Sequence, residues 1–516
     1  MENKRSRKVY FIMALLMILE LAVLFLRSGV IPGLSDRTEK LKAYGTAKLE
    51  DLRIIPGDIY DRNGNVVVES GENTLTKEVD GKEVEYKERY TKYNNARAFS
   101  QLVGYTGNRA LDLTADSVQG VVKERADYRL MRRLDDDVWK ENGIYATVNS
   151  EGSKGTSAVL TVDSRLQNAV YEALCKEMDD TKETGAAVVL DAKTGEILAM
   201  VAFPTYDFND KASAINQMEL DRENNNLEPS FPVSYKNAEV PGSIFKVLMS
   251  VALIDHGMED FKVPNEEYTV NGWTCKPKNF QYGGISSVQG DEIDLTTALI
   301  SSSNVYFTKA ALTLGKNALN ETAEKFMLVE DEQSFMLDCG SVPYSWHLNV
   351  DRDVLAQTGM GQGRTEITTL HAAMIAQAIA NDGKMMKPYV IQQLVNANGK
   401  TVYKGKAELL SEATSKRTAD KVKAAMLATA QVNSVIHNNE EVKEVFEEYQ
   451  VAGKTGTGEV SDETEGETVN NAGYISFAPA DDPQYVVAVN FCRTDRVGYE
   501  AMPVTADIYR YLFKEY

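Results

Sequence analysis

Three short stretches carry side chains that, brought together, could form and break an ester. In AEVPGSIFKVLMSVALIDHG, Pro241 and Gly242 punctuate a loop, and Ser243 opens an apolar helix with Lys246 three residues on, hence on the same face. At a helix N-terminus a nucleophile gains free backbone N–H groups and the positive end of the dipole. A serine hydroxyl is barely ionised at neutral pH and needs a base within about 2.6 to 3.2 Å. Lys246 serves only if uncharged, which burial and neighbouring positive charge would favour by lowering its pKa from about 10.4. Alone, the same spacing fits a capping serine followed by a surface lysine.

The second stretch is TALISSSNVYFTKA, with Ser302 and Asn304 two apart. Side chains so spaced do not face each other on a regular helix, so the useful form is a turn between helices with both entering one cleft. There Ser302 relays a proton between Lys246 and a leaving group, and the Asn304 amide steadies Lys246 and a substrate carbonyl. The bland alternative is helix capping by Ser301, Ser302 or Ser303.

The third stretch, VAGKTGTGEV, reads as a strand with Lys454 and Gly456 on one side and Thr455 and Thr457 on the other. Gly456 is expected to leave room for a peptide paired along the strand edge. Lys454 offers a positive charge, and Thr455 or Thr457 a hydroxyl, to a terminal carboxylate. The Thr457 and Ser243 N–H groups are the natural oxyanion pair. The same tripeptide at Lys193, Thr194 and Gly195 falls in DAKTGE, where glycine supplies turn geometry instead.

These stretches need a scaffold. SAVLTVDSRLQNAVYEALCKEM predicts a strand, then a helix capped by Asp163 or Ser164. Ala186–Leu190 and Ile197–Phe203 predict a hairpin, YQVAGKTGTGEV, AGYISFAP and YVVAVNF three late strands, and Val504 to Phe513 a closing helix. Strands from both ends of a domain around a helical middle imply an α+β fold with one antiparallel sheet.

Before this region, RIIPGDIYDRNGNVVVES carries a turn at Asp61 to Gly64 and opens a small β-rich pedestal over 53–155, with a helical stretch around Ser117 to Leu134. A spacer is the plainest role for it. Residues 28–52 read as a polar stalk. Residues 9–27 contain an 18-residue apolar run from Val9 to Leu26, interrupted by Glu20, after the basic tail 1–8. That length and charge bias predict a membrane helix with the short tail inside and the remainder outside. A cleaved signal peptide is the competing reading, but RSGVIPG offers no A-x-A site.

A chain of 516 residues has room for two or three domains, and its 43 % apolar content suits globular folding. A net charge of −20 without a basic stripe excludes a nucleic-acid partner. Cys175, Cys275, Cys339 and Cys492 have no C-x-x-C spacing, and the four histidines are scattered, so neither a metal nor a cofactor is expected.

Ser243-Ile-Phe-Lys246, Ser302-Ser303-Asn304 and Lys454-Thr455-Gly456-Thr457, in that order, resemble the signature elements of penicillin-binding transpeptidases and serine β-lactamases. The long intervals between them resemble the former. RIIPGDIYDRNG, TVDSRLQ and MGQGRTEITTLHAAMIAQAIANDG resemble further segments of the class B penicillin-binding proteins, with Thr369 and His371 replacing the usual Pro and Gln. GNRALDLTADSVQG departs from the family pattern and marks a divergent branch.

The resemblance implies an anchor, a pedestal and a D,D-transpeptidase domain at 156–516, built on a central antiparallel sheet of about five strands with helices on both faces. It implies acylation of Ser243 by a peptidoglycan stem peptide, release of D-Ala, transfer to an acceptor amine, inhibition by β-lactams, and a membrane glycosyltransferase as a partner. The alternatives are a D,D-carboxypeptidase using the same acyl-enzyme and a β-lactam-sensing membrane receptor. The acidic stretch SDETEGE beyond the Lys454 strand reads as a solvated loop, or as an attractor for the acceptor amine.

Overall fold

The computed structural model describes residues 54–104 and 153–516, with breaks at 56, 80, 155–156, 179–182, 226–231, 338–339, 397, 437–438 and 462–467. The expected tail, anchor, stalk and 117–134 helix lie outside the described residues, as do Cys339 and most of SDETEGE. Among the described residues no helix is long and apolar enough to cross a membrane.

The strands β1 (Thr184–Asp191), β2 (Ile197–Phe203), β3 (Ala452–Ser461), β4 (Thr468–Ala478) and β5 (Tyr485–Thr494) form one antiparallel sheet in the order β3-β4-β5-β1-β2. Early and late segments therefore close on each other as expected. Every residue of β2 is buried, which in an antiparallel strand requires cover on both faces. Alternation divides that cover into two cores. Val188, Leu190, Met200, Ile475 and Ala488 face one cluster, and Ala187, Val189, Val201, Tyr474 and Val487 the other.

Seven helices matter for the site: α1 (Ser164–Glu177), α2 (Lys246–Asp255), α3 (Leu295–Ile300), α4 (Asn304–Lys325), α5 (Thr369–Ala380), α6 (Lys416–Ile436) and α7 (Met502–Lys514). The first core takes α2 and α5, which are apolar almost all round; α5 is buried along its whole length and α2 from Lys246 to Ile254. The second takes α1 and α7. Helices thus lie on both faces of the sheet.

A second, six-stranded sheet runs across the expected boundary at residue 155. Its order is Thr401–Lys404, Ile391–Val395, Ser157–Leu160, Ile59–Tyr60, Val66–Val79 and Lys82–Tyr93, with a parallel step between Ile59–Tyr60 and Ser157–Leu160. The turn at Asp61 to Gly64 fastens this sheet to α1. Asp61 is fully buried; Oδ1 accepts from the N–H groups of Asn63 and Asn65 at 2.9 and 2.8 Å, and Oδ2 from the Ser164 N–H at 3.1 Å. Asp163 caps the same helix through the Arg165 N–H at 2.8 Å. Arg62 donates to Glu196 at 3.1 Å and to the Tyr516 hydroxyl at 3.2 Å.

Candidate active site

Ser243 sits in a 3₁₀ turn, Gly242–Phe245, and the α-helix proper starts at Lys246, a turn later than the sequence suggests. The turn is pressed on β3. Gly242 has φ +54°, and a Cβ there would lie 2.2 Å from the Thr457 carbonyl oxygen. A Cβ on Gly456 would lie 2.5 Å from the Pro241 carbonyl and 2.7 Å from Ile244, and one on Gly458 would lie 2.2 Å from the Val240 carbonyl. The room expected for a peptide over Gly456 is therefore filled by the Ser243 turn itself, and the glycines are dictated by backbone packing. Half-buried Ser243 lies between Gly242 and Ile244, both seated on the strand.

The Ser302 turn joins α3 to α4, as expected. Ser303 is the N-cap of α4 and accepts from the Tyr306 N–H at 3.2 Å, while the Ser301 hydroxyl donates to the Thr297 carbonyl at 2.7 Å. Capping is thus performed by Ser303, and Ser302, held at φ +51°, turns its hydroxyl into the cleft.

Two fully buried lysines meet there. Lys246 Nζ donates to the Ser302 carbonyl at 2.8 Å and to Asn304 Oδ1 at 2.7 Å, and lies 3.2 Å from Ser302 Oγ. Lys454 Nζ lies 3.0 Å from the same Oγ and donates to the Thr455 carbonyl at 3.0 Å. Burial pulls the pKa of Lys246 well below its ordinary value, and the neighbouring charge of Lys454 lowers it further. Burial, then the charge of Lys278, brings Lys454 down to about 7. Lys246 also lies 5.7 Å from the Phe307 ring centroid. A neutral amine has two protons and a lone pair, so Lys246 can bond Ser302 O and Asn304 Oδ1 and still take a proton from a hydroxyl.

Strand alternation holds: Lys454, Gly456 and Gly458 are buried, whereas Thr455 and Thr457 are half-exposed. Thr455 Oγ1 lies 3.5 Å from Lys454 Nζ. Thr457 Oγ1 accepts from the Gly498 N–H at 3.0 Å, so its proton is what it can offer a ligand. The sequence reading missed Lys278, whose exposed charge acts on both lysines, and Gln362, whose amide meets β3 at Glu459. Only the glycines on either side of Gln362 hinted at its special backbone. Among the described residues no group of histidines, cysteines and carboxylates could hold a metal ion.

The fold and this cluster define the class. A family model for the penicillin binding protein transpeptidase domain matches residues 185–514, and the chain belongs to that family of enzymes. More particularly, it is 28 % identical over 410 residues to the peptidoglycan D,D-transpeptidase PbpA of Mycolicibacterium smegmatis, covering 77 % of this chain and 78 % of that one. PbpA of Mycobacterium tuberculosis is 27 % identical over 416 residues, with the same coverage. Among solved structures, a ceftriaxone acyl-enzyme complex of penicillin-binding protein A from M. tuberculosis superposes with a TM-score of 0.72 at 23 % identity, over 90 % of this chain and 100 % of that one. A D,D-transpeptidase domain from Eggerthella lenta gives 0.66 at 24 % identity, over 90 % and 99 %. At such identities the structures establish the fold.

Proposed function

We propose that the protein is a class B-like peptidoglycan D,D-transpeptidase that cross-links stem peptides through a Ser243 acyl-enzyme. The observation that carries this is the Ser302 hydroxyl held between two buried, pKa-depressed lysines beside the nucleophile turn. Ser243 Oγ attacks the carbonyl of the penultimate D-Ala and its proton passes to neutral Lys246. The N–H groups of Ser243 and Thr457 hold the oxyanion. Collapse breaks the peptide bond, the departing D-Ala amine receives its proton through Ser302, and an ester remains on Ser243. An acceptor amine then attacks that ester, its surplus proton returns by the same route, and Ser243 recovers its hydroxyl. Protonated Lys454, with Thr455 or Thr457, binds the terminal carboxylate, and Asn304 orients Lys246.

The basic tail and apolar run support an N-terminal membrane anchor with the catalytic domain outside the cell, a pedestal between them, and a membrane glycosyltransferase as a working partner. β-Lactams are expected to acylate Ser243, since ceftriaxone forms an acyl-enzyme complex with the M. tuberculosis relative named above.

The test is intact-chain mass spectrometry with penicillin, followed by mapping of the modified peptide. Wild type gains one adduct on the Ser243 peptide and Ser243→Ala gains none; labelling of Ser243→Ala at the wild-type rate removes Ser243 from this role. With a stem pentapeptide and an acceptor, a cross-linked dimer is expected; D-Ala release alone makes the enzyme a carboxypeptidase.

A further inference from the structure

Among the described residues β3 is an edge strand, with no neighbouring strand on one side of its backbone. In an antiparallel pair, alternate residues point both backbone polar groups at the partner and the residues between point theirs away. Thr455, Thr457 and Glu459 share the outward set. The Thr455 carbonyl accepts from Lys454 Nζ at 3.0 Å. At Glu459 the Gln362 amide, in the orientation that satisfies both of its groups, does what a residue of an added strand would do: its oxygen accepts from the Glu459 N–H at 2.8 Å, and its NH₂ donates to the Glu459 carbonyl at 3.2 Å.

This side chain is held in place by its backbone. Gly361 and Gly363 flank it at φ +76° and +78°, and the Gln362 N–H donates to the Gln357 carbonyl at 3.1 Å. The Gly361 carbonyl accepts from the Gly242 N–H at 3.0 Å, and a Cβ on Gly361 would lie 1.9 Å from the Gly242 carbonyl oxygen. The same turn therefore touches the nucleophile turn on one side and the strand edge on the other.

We propose that Gln362 is a specificity-determining residue that ends the substrate-binding edge of β3 after Thr457. The inference rests on the functional reading above, in which the acyl donor lays its terminal carboxylate at Lys454 and extends toward Glu459. Between Lys454 and Glu459, Thr457 is then the outward residue whose N–H and carbonyl make no hydrogen bond among the described residues. A donor main chain meets the Gln362 amide where it would make its next pair and has to leave the line of the strand. Donors extended by further α-linked residues gain nothing from β3, whereas an edge freed of Gln362 lengthens the pairing register by one residue.

The experiment compares two synthetic donors, N-acetyl-Lys-D-Ala-D-Ala and the same peptide lengthened at its N-terminus by three α-linked alanines, in full-length wild type and Gln362→Ala. The readout is the ratio of kcat/KM for the long donor to that for the short one. Wild type should give a ratio within about threefold of one. Gln362→Ala should raise it about tenfold, mainly through KM, as expected for about 1.4 kcal/mol from a new backbone pair. A purely structural role slows both donors together, and an unchanged ratio overturns the proposal. Should Gln362→Ala fail to fold, Gln362→Glu gives the same readout: it cannot donate to the Glu459 carbonyl in its ionised form, so a raised ratio supports the proposal and an unchanged one overturns it. Penicillin labelling of wild-type Ser243 separates the two levels, because absence of that label sinks the functional reading, while a labelled enzyme with an unmoved ratio sinks only the role of Gln362.

Discussion

The tripeptide Lys-Thr-Gly occurs twice on the same sheet, and the two copies have opposite fates. In the β1–β2 turn, Lys193 is about half exposed and reaches Asp482 at 3.6 Å. Thr194 Oγ1 donates to Asp191 Oδ1 at 2.9 Å, and Gly195 takes φ +76° to close the hairpin. On β3, Lys454 is fully buried against Ser302, Thr455 stands at the cleft, and Gly456 accepts the Pro241 carbonyl where a side chain would collide. Identical letters acquire chemistry only when burial strips water from the ammonium and a second segment supplies partners. In the turn, an aspartate three residues before the threonine uses it for local structure, and the lysine is left about half exposed.

The largest separation between the copies should come from their lysines. Lys454→Ala is expected to lower the acylation rate constant for a carboxylate-bearing β-lactam by about 10- to 100-fold, the range for a charged hydrogen-bond partner. Lys193→Ala should leave that constant within about twofold, because an exposed ion pair contributes about 0 to 1 kcal/mol. Stopped-flow acylation of both variants checks this, and equal losses would erase the distinction.

The glycines should separate next. Gly456→Ala drives a methyl group into the Pro241 carbonyl, which should cost about 1–3 kcal/mol of stability and slow acylation by displacing the Ser243 turn. Gly195→Ala meets Met386 at 3.0 Å and places a side chain at positive φ, for about 1–2 kcal/mol and no loss of acylation in the folded fraction. Thermal melts paired with penicillin titration distinguish them: a Gly456→Ala protein with wild-type acylation would contradict the packing assigned here.

The finest contrast lies in pH. Lys454 has a folded pKa of about 7, below its unfolded value near 10.4, so over that window the unfolded chain binds more protons. Stability contributed at this site therefore rises with pH from about 7 to about 10, and Lys454→Met should flatten that rise. For catalysis the sign reverses. Loss of the Lys454 proton removes the charge proposed to bind carboxylate, so kcat/KM should fall a few-fold between pH 7 and 8. Lys454→Ala should abolish the falling limb and Lys193→Ala should retain it; a falling limb that survives Lys454→Ala belongs to another group.

Much of this was legible in the chain because it is local. The Asp191 and Gly195 context marked the hairpin, alternation fixed which side of β3 carries Lys454, and three consecutive serines before Asn304 foretold a turn with one hydroxyl to spare. The five-stranded sheet followed from strand patterns at both ends of its domain. What escaped depends on distant partners. Gly456 looked like a vacancy for a peptide because its neighbour, Pro241, is far away in sequence. The charge of Lys278 and the amide of Gln362 act across the cleft on segments to which no periodicity connects them. The hairpin around Asp61 to Gly64 was legible, but its continuation into one larger sheet was hidden for the same reason: Ile59–Tyr60 pairs in parallel with Ser157–Leu160, far along the chain.

That second sheet has a consequence for how the molecule can be divided. A cut at residue 156 would strip Ser157–Leu160 of its parallel neighbour, bare a row of amide and carbonyl groups, and remove the carboxylate that tethers the head of α1 at Ser164. The segment before residue 155 is therefore built into the wall of the larger domain through this sheet. Torque arriving through the long hairpin Val66–Tyr93 would pass into a strand that leads straight to α1, so the two halves are geared to turn together.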